Sequence, residues 1–168
     1  DQLSEKAHQY NYESIAITDS ANLFGFLKFY KSVRSKGIKP IAGAEINHVR
    51  DSSSHNEHAN LTLIAKNQLG YKNLIKLISK SQIVGKTSGI PVIETEWLAE
   101  YSDGLIALSG GFRGHIGKAV LDTNHDLFLK RIKYFQKIFK EDFILEISRI
   151  NRPQEDIYND YILSKAGE

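Results

Sequence analysis

The apolar positions of this chain fall into two kinds of run. Short runs rich in β-branched residues read as strands: "SIAIT" (Ser14 to Thr18), "IAGAEIN" (Ile41 to Asn47), "LTLIAK" (Leu61 to Lys66), "GLIALSGG" (Gly104 to Gly111) and "FILEIS" (Phe143 to Ser148). Between them the apolar residues recur every three or four positions, as on one face of a helix. Leu23, Phe26, Leu27, Tyr30 and Val33 predict a helix over 22–36. Arg34 and Lys36 suit the negative end of its dipole, Gly37 its stop, and Pro40 bars continuation. Leu74, Leu77, Ile78 and Ser81 predict a second helix over 69–84, and a short one over 94–101 carries the single tryptophan, Trp97. "HIGKAVL", "HDLFLKRIKYFQKIF" and the residues after Pro153 read as helices, as do Leu3, Ala7 and Tyr10 at the start. "HVRDSSSHNEHAN" and "GKTSGIP" read as loops.

Strands therefore alternate with helices, and the strands are apolar runs rather than alternating patterns. That predicts an α/β fold, mostly parallel, with both sheet faces buried and the helices outside. Sites in such folds form where strands end. The candidate strand ends are Asp19, Glu45 to His48, Lys66 and Asn67, Ser109 to Gly111, and Ser148 to Asn151.

Composition narrows the chemistry. A chain of 168 residues is one domain and buries a core without disulfides. It has no cysteine, which removes thiolate metal sites and cysteine nucleophiles and fits a reducing, cytoplasmic setting. The net charge is only +2, and lysine outnumbers arginine 16 to 6, which gives a phosphate-reading surface little support. No apolar run approaches the roughly 20 residues of a membrane span. There is no methionine, and the chain opens inside a helical pattern and closes near a Gly167 cap. The expectation is a single domain over 1–168, cut at both ends from a longer chain.

The order of motifs is specific. "AITDSANLFGFLKFYKSVRSKGIKPIAGAEI", "LTLIAKNQLGYKNLIKLISKS", "GLIALSGG" and "FILEISRINRPQED" resemble the PHP (polymerase and histidinol phosphatase) domain. More narrowly, they resemble that domain as it stands at the start of bacterial replicative polymerases of the DNA polymerase III alpha type. The resemblance spans nearly the whole chain. It implies a distorted β/α barrel, here truncated at both ends, within a DNA-directed DNA polymerase whose nucleotidyltransferase site lies in other domains. In active members it also implies a histidine-rich metal cluster that hydrolyses phosphoesters.

The resemblance marks where ligands should be. The family's Thr-Asp-His reads Thr18-Asp19-Ser20 here, and its strand-end glutamate is kept as Glu45. Other ligand positions fall on Asn60, Gly111 and, with a looser alignment, Ile150. Asp19 and Glu45 are thus the remaining metal candidates, and Ser20, Asn60, Gly111 and Ile150 the degenerate positions. A catalytic centre needs several ligands on each ion and an open place for water. These residues supply too few, so no cofactor is expected; the alternative is Zn, Mn or Mg held weakly at Glu45.

Plainer readings stand beside these. Asp19 suits a helix-capping carboxylate. His48, His55 and His58 have zinc-like spacing but sit in a polar run, where exposed, unliganded rings are expected; His115 and His125 read as surface residues at helix starts. "SGGFRG" (Ser109 to Gly114) suits a plain tight turn or a phosphate cradle, without the P-loop Lys-Ser/Thr. Tyr30, Tyr71 and Trp97 read as core or partly buried aromatics.

Two functions compete. One is a non-catalytic scaffold, packed against the rest of the polymerase alpha chain or docking a separate proofreading exonuclease subunit, with DNA met through other domains. The other is a working metal-dependent phosphoesterase, a 3′-5′ exonuclease or pyrophosphatase. Ligand count favours the first.

Overall fold

The computed structural model describes residues 2–49, 58–87 and 89–165. Helix α1 (Gln2–Gln9) leads into strand β1 (Ser14–Ser20), helix α2 (Phe26–Arg34) and strand β2 (Lys39–Val49). Strand β3 (Ala59–Ala65) and helix α3 (Gln68–Ile83) follow. Then come β4 (Lys86–Thr87), β5 (Ile90–Pro91), β6 (Ile93–Glu94), α4 (Thr95–Glu100) and β7 (Leu105–Leu108). A 3₁₀ turn over Gly111–Arg113 enters α5 (His115–Leu121) and α6 (His125–Phe139); β8 (Phe143–Ile144) and α7 (Glu155–Lys165) complete the described chain.

The main sheet runs in the order β1-β2-β3-β7-β8, with β6 added beside the end of β2. β1 lies parallel to β2, β6 to β2 and β7 to β8, while β3 is antiparallel to both its neighbours. The reversal has a simple cause. A parallel pair needs a crossover of about a dozen residues or more, usually a helix, and only the polar stretch 50–58 joins β2 to β3. Lys66 and Asn67, expected at the functional rim, are therefore at the opposite end. There Lys66 pairs with Asp142 at 2.8 Å and Asn67 caps α3, accepting the Gly70 N–H at 3.0 Å.

The sheet is covered on one face only. Ala42, Ala44, Ile46, His48, Leu61, Leu63, Leu105 and Ala107 alternate along their strands and are all buried. They pack on Leu74, Leu77 and Ile78 of α3, Leu98 of α4, Ile116 of α5 and Phe135 of α6. A second, smaller cluster joins Ala7 of α1 to Phe29 and Val33 of α2 and to Ile38. On the other face Ala16, Thr18, Ser20 and Ile144 are exposed, and Ile41, Glu45, Asn60, Thr62, Ile64, Ile106 and Leu108 are only partly buried. This corrects the expectation that both faces are buried, and the sheet does not close, with β1 and β8 as its edges.

The open side also shifts helix stripes. On α2, Phe29 and Val33 are buried while Leu27 and Tyr30 are exposed, so Leu27 and Tyr30 face out beside Ile41, Ile64 and Ile106 in a groove of about 890 Å³. In α1, Ser4 and Ala7 turn inward and Leu3 outward, and Tyr10 just after the helix is exposed. Within the expected loop, β4 and β5 pair antiparallel, Lys86 with Pro91 and Thr87 with Ile90. "FILEIS" pairs only through Phe143 and Ile144.

One crossing fixes how α3 meets the sheet. Gly104, at φ +75, presses its carbonyl against Gly70 so closely that a Cβ built on Gly70 would lie 1.8 Å from Gly104 O. In an ordinary helix Gly→Ala stabilises by about 1 kcal/mol. Here the sign should reverse: Gly70→Ala should destabilise by about 1–3 kcal/mol, as overpacked cores do. Denaturant unfolding of the two proteins checks this, and a stabilised variant would refute the crossing.

Candidate functional site

The functional rim is the end of the sheet where β1, β2 and β7 finish. Register sets one row of side chains across the open face: Ser20 opposite Glu45, Glu45 opposite Thr62, Thr62 opposite Leu108, Leu108 opposite Ile144. Asn60 lies one step further out, opposite Asn47 and bridged through its backbone to Gly114. Glu45 is tied into the rim by its own carbonyl, which accepts the Ala21 N–H at 2.8 Å.

Asp19 does not join this row. It stands opposite Ala44 in β2, which is fully buried on the helix-covered face. Its Oδ2 accepts the Gly25 N–H at 3.1 Å, where α2 begins. The first amides of a helix have no partner within it, and a carboxylate there also meets the positive end of the dipole. Asn22 completes the turn, accepting the Phe24 N–H at 2.9 Å and donating to Ser20 O at 2.8 Å. Asp19 and Glu45 thus share a rim but not a face.

The histidines also depart from expectation. His48 lies within β2 and is fully buried, not in an exposed loop. Its ring packs edge-on to His115 at 5.0 Å and to Phe135 at 5.6 Å. His115, expected on the surface, is buried too, with Nε2 3.0 Å from His48 O. The cause is strand parity: His48 falls in step with Ala44 and Ile46 and so faces the helices. His125 is exposed as expected, and its Nδ1 meets the Tyr161 hydroxyl at 2.6 Å. His58 is half-buried and His55 lies outside the described residues.

Two residues that sequence reasoning passed over share the rim with Glu45. Arg113 places Nη2 3.6 Å from Glu45 Oε2. Glu146 follows β8, its backbone N–H donating to Ser109 Oγ at 2.9 Å. The Tyr158 hydroxyl donates to Glu146 O at 2.9 Å and lies 3.3 Å from Ser109 Oγ, so α7 is locked to the end of β7. Burial pushes the Glu146 carboxyl above its usual range; the Gly110 N–H opposes this, Glu45 adds to it, and Arg113 counters. A signal for Glu146 was present. It is a lone carboxylate inside the apolar run "FILEIS", as Glu45 is inside "IAGAEI".

The degenerate positions supply little. Ser20 offers a hydroxyl and Asn60 an amide, while Gly111 offers no side chain and sits at φ +57 in the turn. Ile150 is exposed, and its N–H donates to Glu155 at 2.7 Å rather than facing the rim. Glu155 is buried at the start of α7. Burial opposes its ionisation, but Ser148 and the N–H groups of Ile150, Arg152 and Asn151 hold its carboxyl below the usual range. "SGGFRG" is a plain turn, with the Gly114 N–H bonded to Gly111 O at 3.1 Å. Among the described residues no three His, Asp or Glu side chains gather as a metal set. With a guanidinium 3.6 Å from Glu45, one further carboxylate, Glu146, and otherwise neutral groups around it, the described residues do not fit a catalytic metal centre.

Two outcomes follow from this geometry. Asp19→Ala should cost about 1 kcal/mol, the usual loss of a helix-start acceptor, and Asp19→Asn distinctly less; equal stability of all three proteins would remove the capping role. For Glu146, a carboxyl raised in the folded state penalises folding once the unfolded chain ionises. The penalty is absent at acid pH, appears as pH rises through the ordinary glutamate range, and is complete above the folded-state value. Glu146→Gln should therefore melt higher than the parent at pH 7, with the gap closing below about pH 4.5, near the ordinary glutamate value. A gap that persists unchanged into acid would contradict this origin.

Comparison with known proteins agrees with the motifs. The family model described as PHP domain matches residues 1–150. The chain is 39% identical over 164 residues to the DNA polymerase III subunit alpha of Vibrio cholerae, covering 98% of this chain and 14% of that protein. It is 41% identical over 157 residues to the subunit of the same name from Buchnera aphidicola, covering 93% of this chain and 13% of that protein. Against the Escherichia coli K12 subunit it is 39% identical over 156 residues, again 93% of this chain and 13% of that protein. The chain thus spans only a small part of the length of these relatives. With the match running from α1 through β8, and the strand-end Glu45 and the "SGG" turn where the motifs put them, this chain belongs to the PHP domain family.

Proposed function

We propose that this domain is the N-terminal PHP part of a DNA polymerase III alpha chain and serves DNA replication as a non-catalytic scaffold or docking module. The observation that carries the replicative role is identity near 39% to alpha subunits over almost the whole chain. The polymerase reaction, nucleotidyl transfer directed by a DNA template, belongs to other parts of such a chain. The reading of a single domain within a longer polypeptide is supported by the relatives' greater length. The open sheet face supports it too. Ile41, Ile64, Ile106, Leu108 and Ile144 form an apolar surface of the kind that lines the inside of a barrel. We place that face inside a distorted β/α barrel completed by further chain. The rest of the alpha chain is then its first partner, and a separate proofreading exonuclease a second.

The scaffold reading rests on the donor set. Hydrolysis at a metal centre needs a Lewis acid held by several ligands with an open position for water. Asp19 accepts the amide at the start of α2, Ser20 and Asn60 are neutral, Gly111 and Ile150 bring no side-chain ligand atom, and Arg113 stands 3.6 Å from Glu45. No described helix is long and apolar enough to cross a bilayer.

The purified protein should leave a chromogenic phosphodiester and single-stranded DNA uncleaved with manganese or zinc present. Turnover that disappears with Glu45→Ala would restore the phosphoesterase reading.

A further inference from the structure

We infer that the groove between α2 and α3 is a docking site for an acidic amphipathic helix of a second polypeptide. The inference rests on the docking-module reading above and names the surface and the chemistry of its partner.

The groove is apolar and open. Leu23, Phe26, Leu27 and Tyr30 line it from α2 and the segment before it, and Tyr71 from α3, in a volume of about 890 Å³. The Phe26 and Tyr71 rings meet at 5.6 Å and join the two walls. Leu27 is 64% exposed and Tyr30 40%, and Phe24, just before α2, is 91% exposed. Large apolar side chains grouped this way on a surface mark an interaction site. Strands that complete the sheet do not account for them. Further strands join a sheet at its edges, here β1 and β8, whereas α2 packs on β1 and β2 and α3 on β3. Ile41, Ile64 and Ile106 form the inner end of the groove, the part that the barrel reading assigns to further chain. The helical walls are left for a different occupant.

The borders of the groove are positive. No acidic residue occurs from 20 to 44 or from 59 to 93, and each stretch carries five lysines or arginines, in a chain whose net charge is only +2. Lys31 and Arg34 follow Leu27 and Tyr30 by one helical turn and so share their face of α2. The Arg34 guanidinium lies 5.9 Å from the Tyr30 ring centroid. Lys39 lines the groove from β2, and Lys72 is exposed next to Tyr71 on α3. Among the described residues none of these four cations has a carboxylate within ion-pair distance, whereas Lys66, which also lines the groove, is paired with Asp142. Glu13 shares a neighbouring hollow with Arg34 and Lys39 without pairing to either. An apolar floor with cationic borders selects its occupant. A helix with one apolar face fills such a groove, and Asp or Glu on its flanks meets the lysines. A nucleic acid backbone would meet the cations but leave Leu23 and Leu27 uncovered, and lysine is the poorer phosphate clamp.

The test uses the full natural chain that carries this domain, and the probe is a displayed library of random peptides of about 15 residues, long enough for a helix. Peptides are selected on the parent and counter-selected on Leu27→Glu/Tyr30→Glu, two exposed positions. If that variant fails to fold, Lys31→Glu/Arg34→Glu takes its place as the counter-selected chain. The selected peptides should carry apolar residues three and four positions apart and a net negative charge. Followed singly by fluorescence anisotropy, they should lose about tenfold or more in affinity on Lys31→Glu/Arg34→Glu. The same peptides with lysine in place of their acids should recover binding to that variant. Basic or uncharged selected peptides, no enrichment over the counter-selected chain, or an affinity unmoved by the charge reversal overturns the inference. DNA that displaces the peptides and depends on the same cations also overturns it, in favour of a polyanion surface. Such a failure leaves the replicative and non-catalytic readings standing, since they rest on sequence identity and on the rim's donor set. Phosphodiester turnover lost on Glu45→Ala sinks the non-catalytic reading and leaves the groove untouched.

Discussion

Side chains on a strand alternate between the two faces of a sheet, and this constraint decides what the domain does with its acidic residues. Asp19 and Glu45 end adjacent parallel strands, yet Asp19 pairs with Ala44 and Glu45 with Ser20. One step of register sends the first carboxylate to the helices and the second to the open face. Asp19 then has an amide to satisfy at the start of α2. Glu45 has a row of small polar neighbours and an arginine. The same parity carries His48 into the core against His115 and Phe135, out of reach of the rim.

The cover on one side of the sheet follows from the same alternation. All the helices that contribute to the main core lie over the face of Ala44, Leu63 and Ala107. The opposite face is apolar near the start of β2, around Ile41, Ile64 and Ile106, and polar at the rim around Glu45, Thr62 and Asn60. A sheet with one apolar face in water is incompletely buried, and a domain that meets further chain there resolves that exposure. The rim and the apolar patch thus lie at the two ends of one surface.

The rim holds together through backbone geometry as much as through charge. Ser109 at the end of β7 ties together Glu146 and Tyr158, and the two left-handed glycines after it bring the chain over Asn60 and back toward Glu45. The Glu45–Arg113 pair is half-exposed, and pairs of that kind contribute roughly 0–1 kcal/mol. Its consequence is therefore local: a guanidinium stands 3.6 Å from the Glu45 carboxylate at the rim.

The sequence by itself determined the elements, because hydrophobic period is local. The stripe Leu74, Leu77, Ile78, Ser81 appears in α3 as read, and "SIAIT", "LTLIA" and "LIAL" lie in strands. It also determined the family, since motif order needs no coordinates. The reversal of β3 was legible in the short polar stretch between β2 and β3, although a sheet read from alternation alone put Lys66 at the wrong end. What only the tertiary structure decided is direction and company. Facing depends on register between strands distant in sequence, so no local pattern separates Asp19 from Glu45. The meeting of Glu45, Arg113 and Glu146 joins residues from three separate segments, and the chain must fold before one carboxylate acquires another as its neighbour and an arginine as its counter-ion.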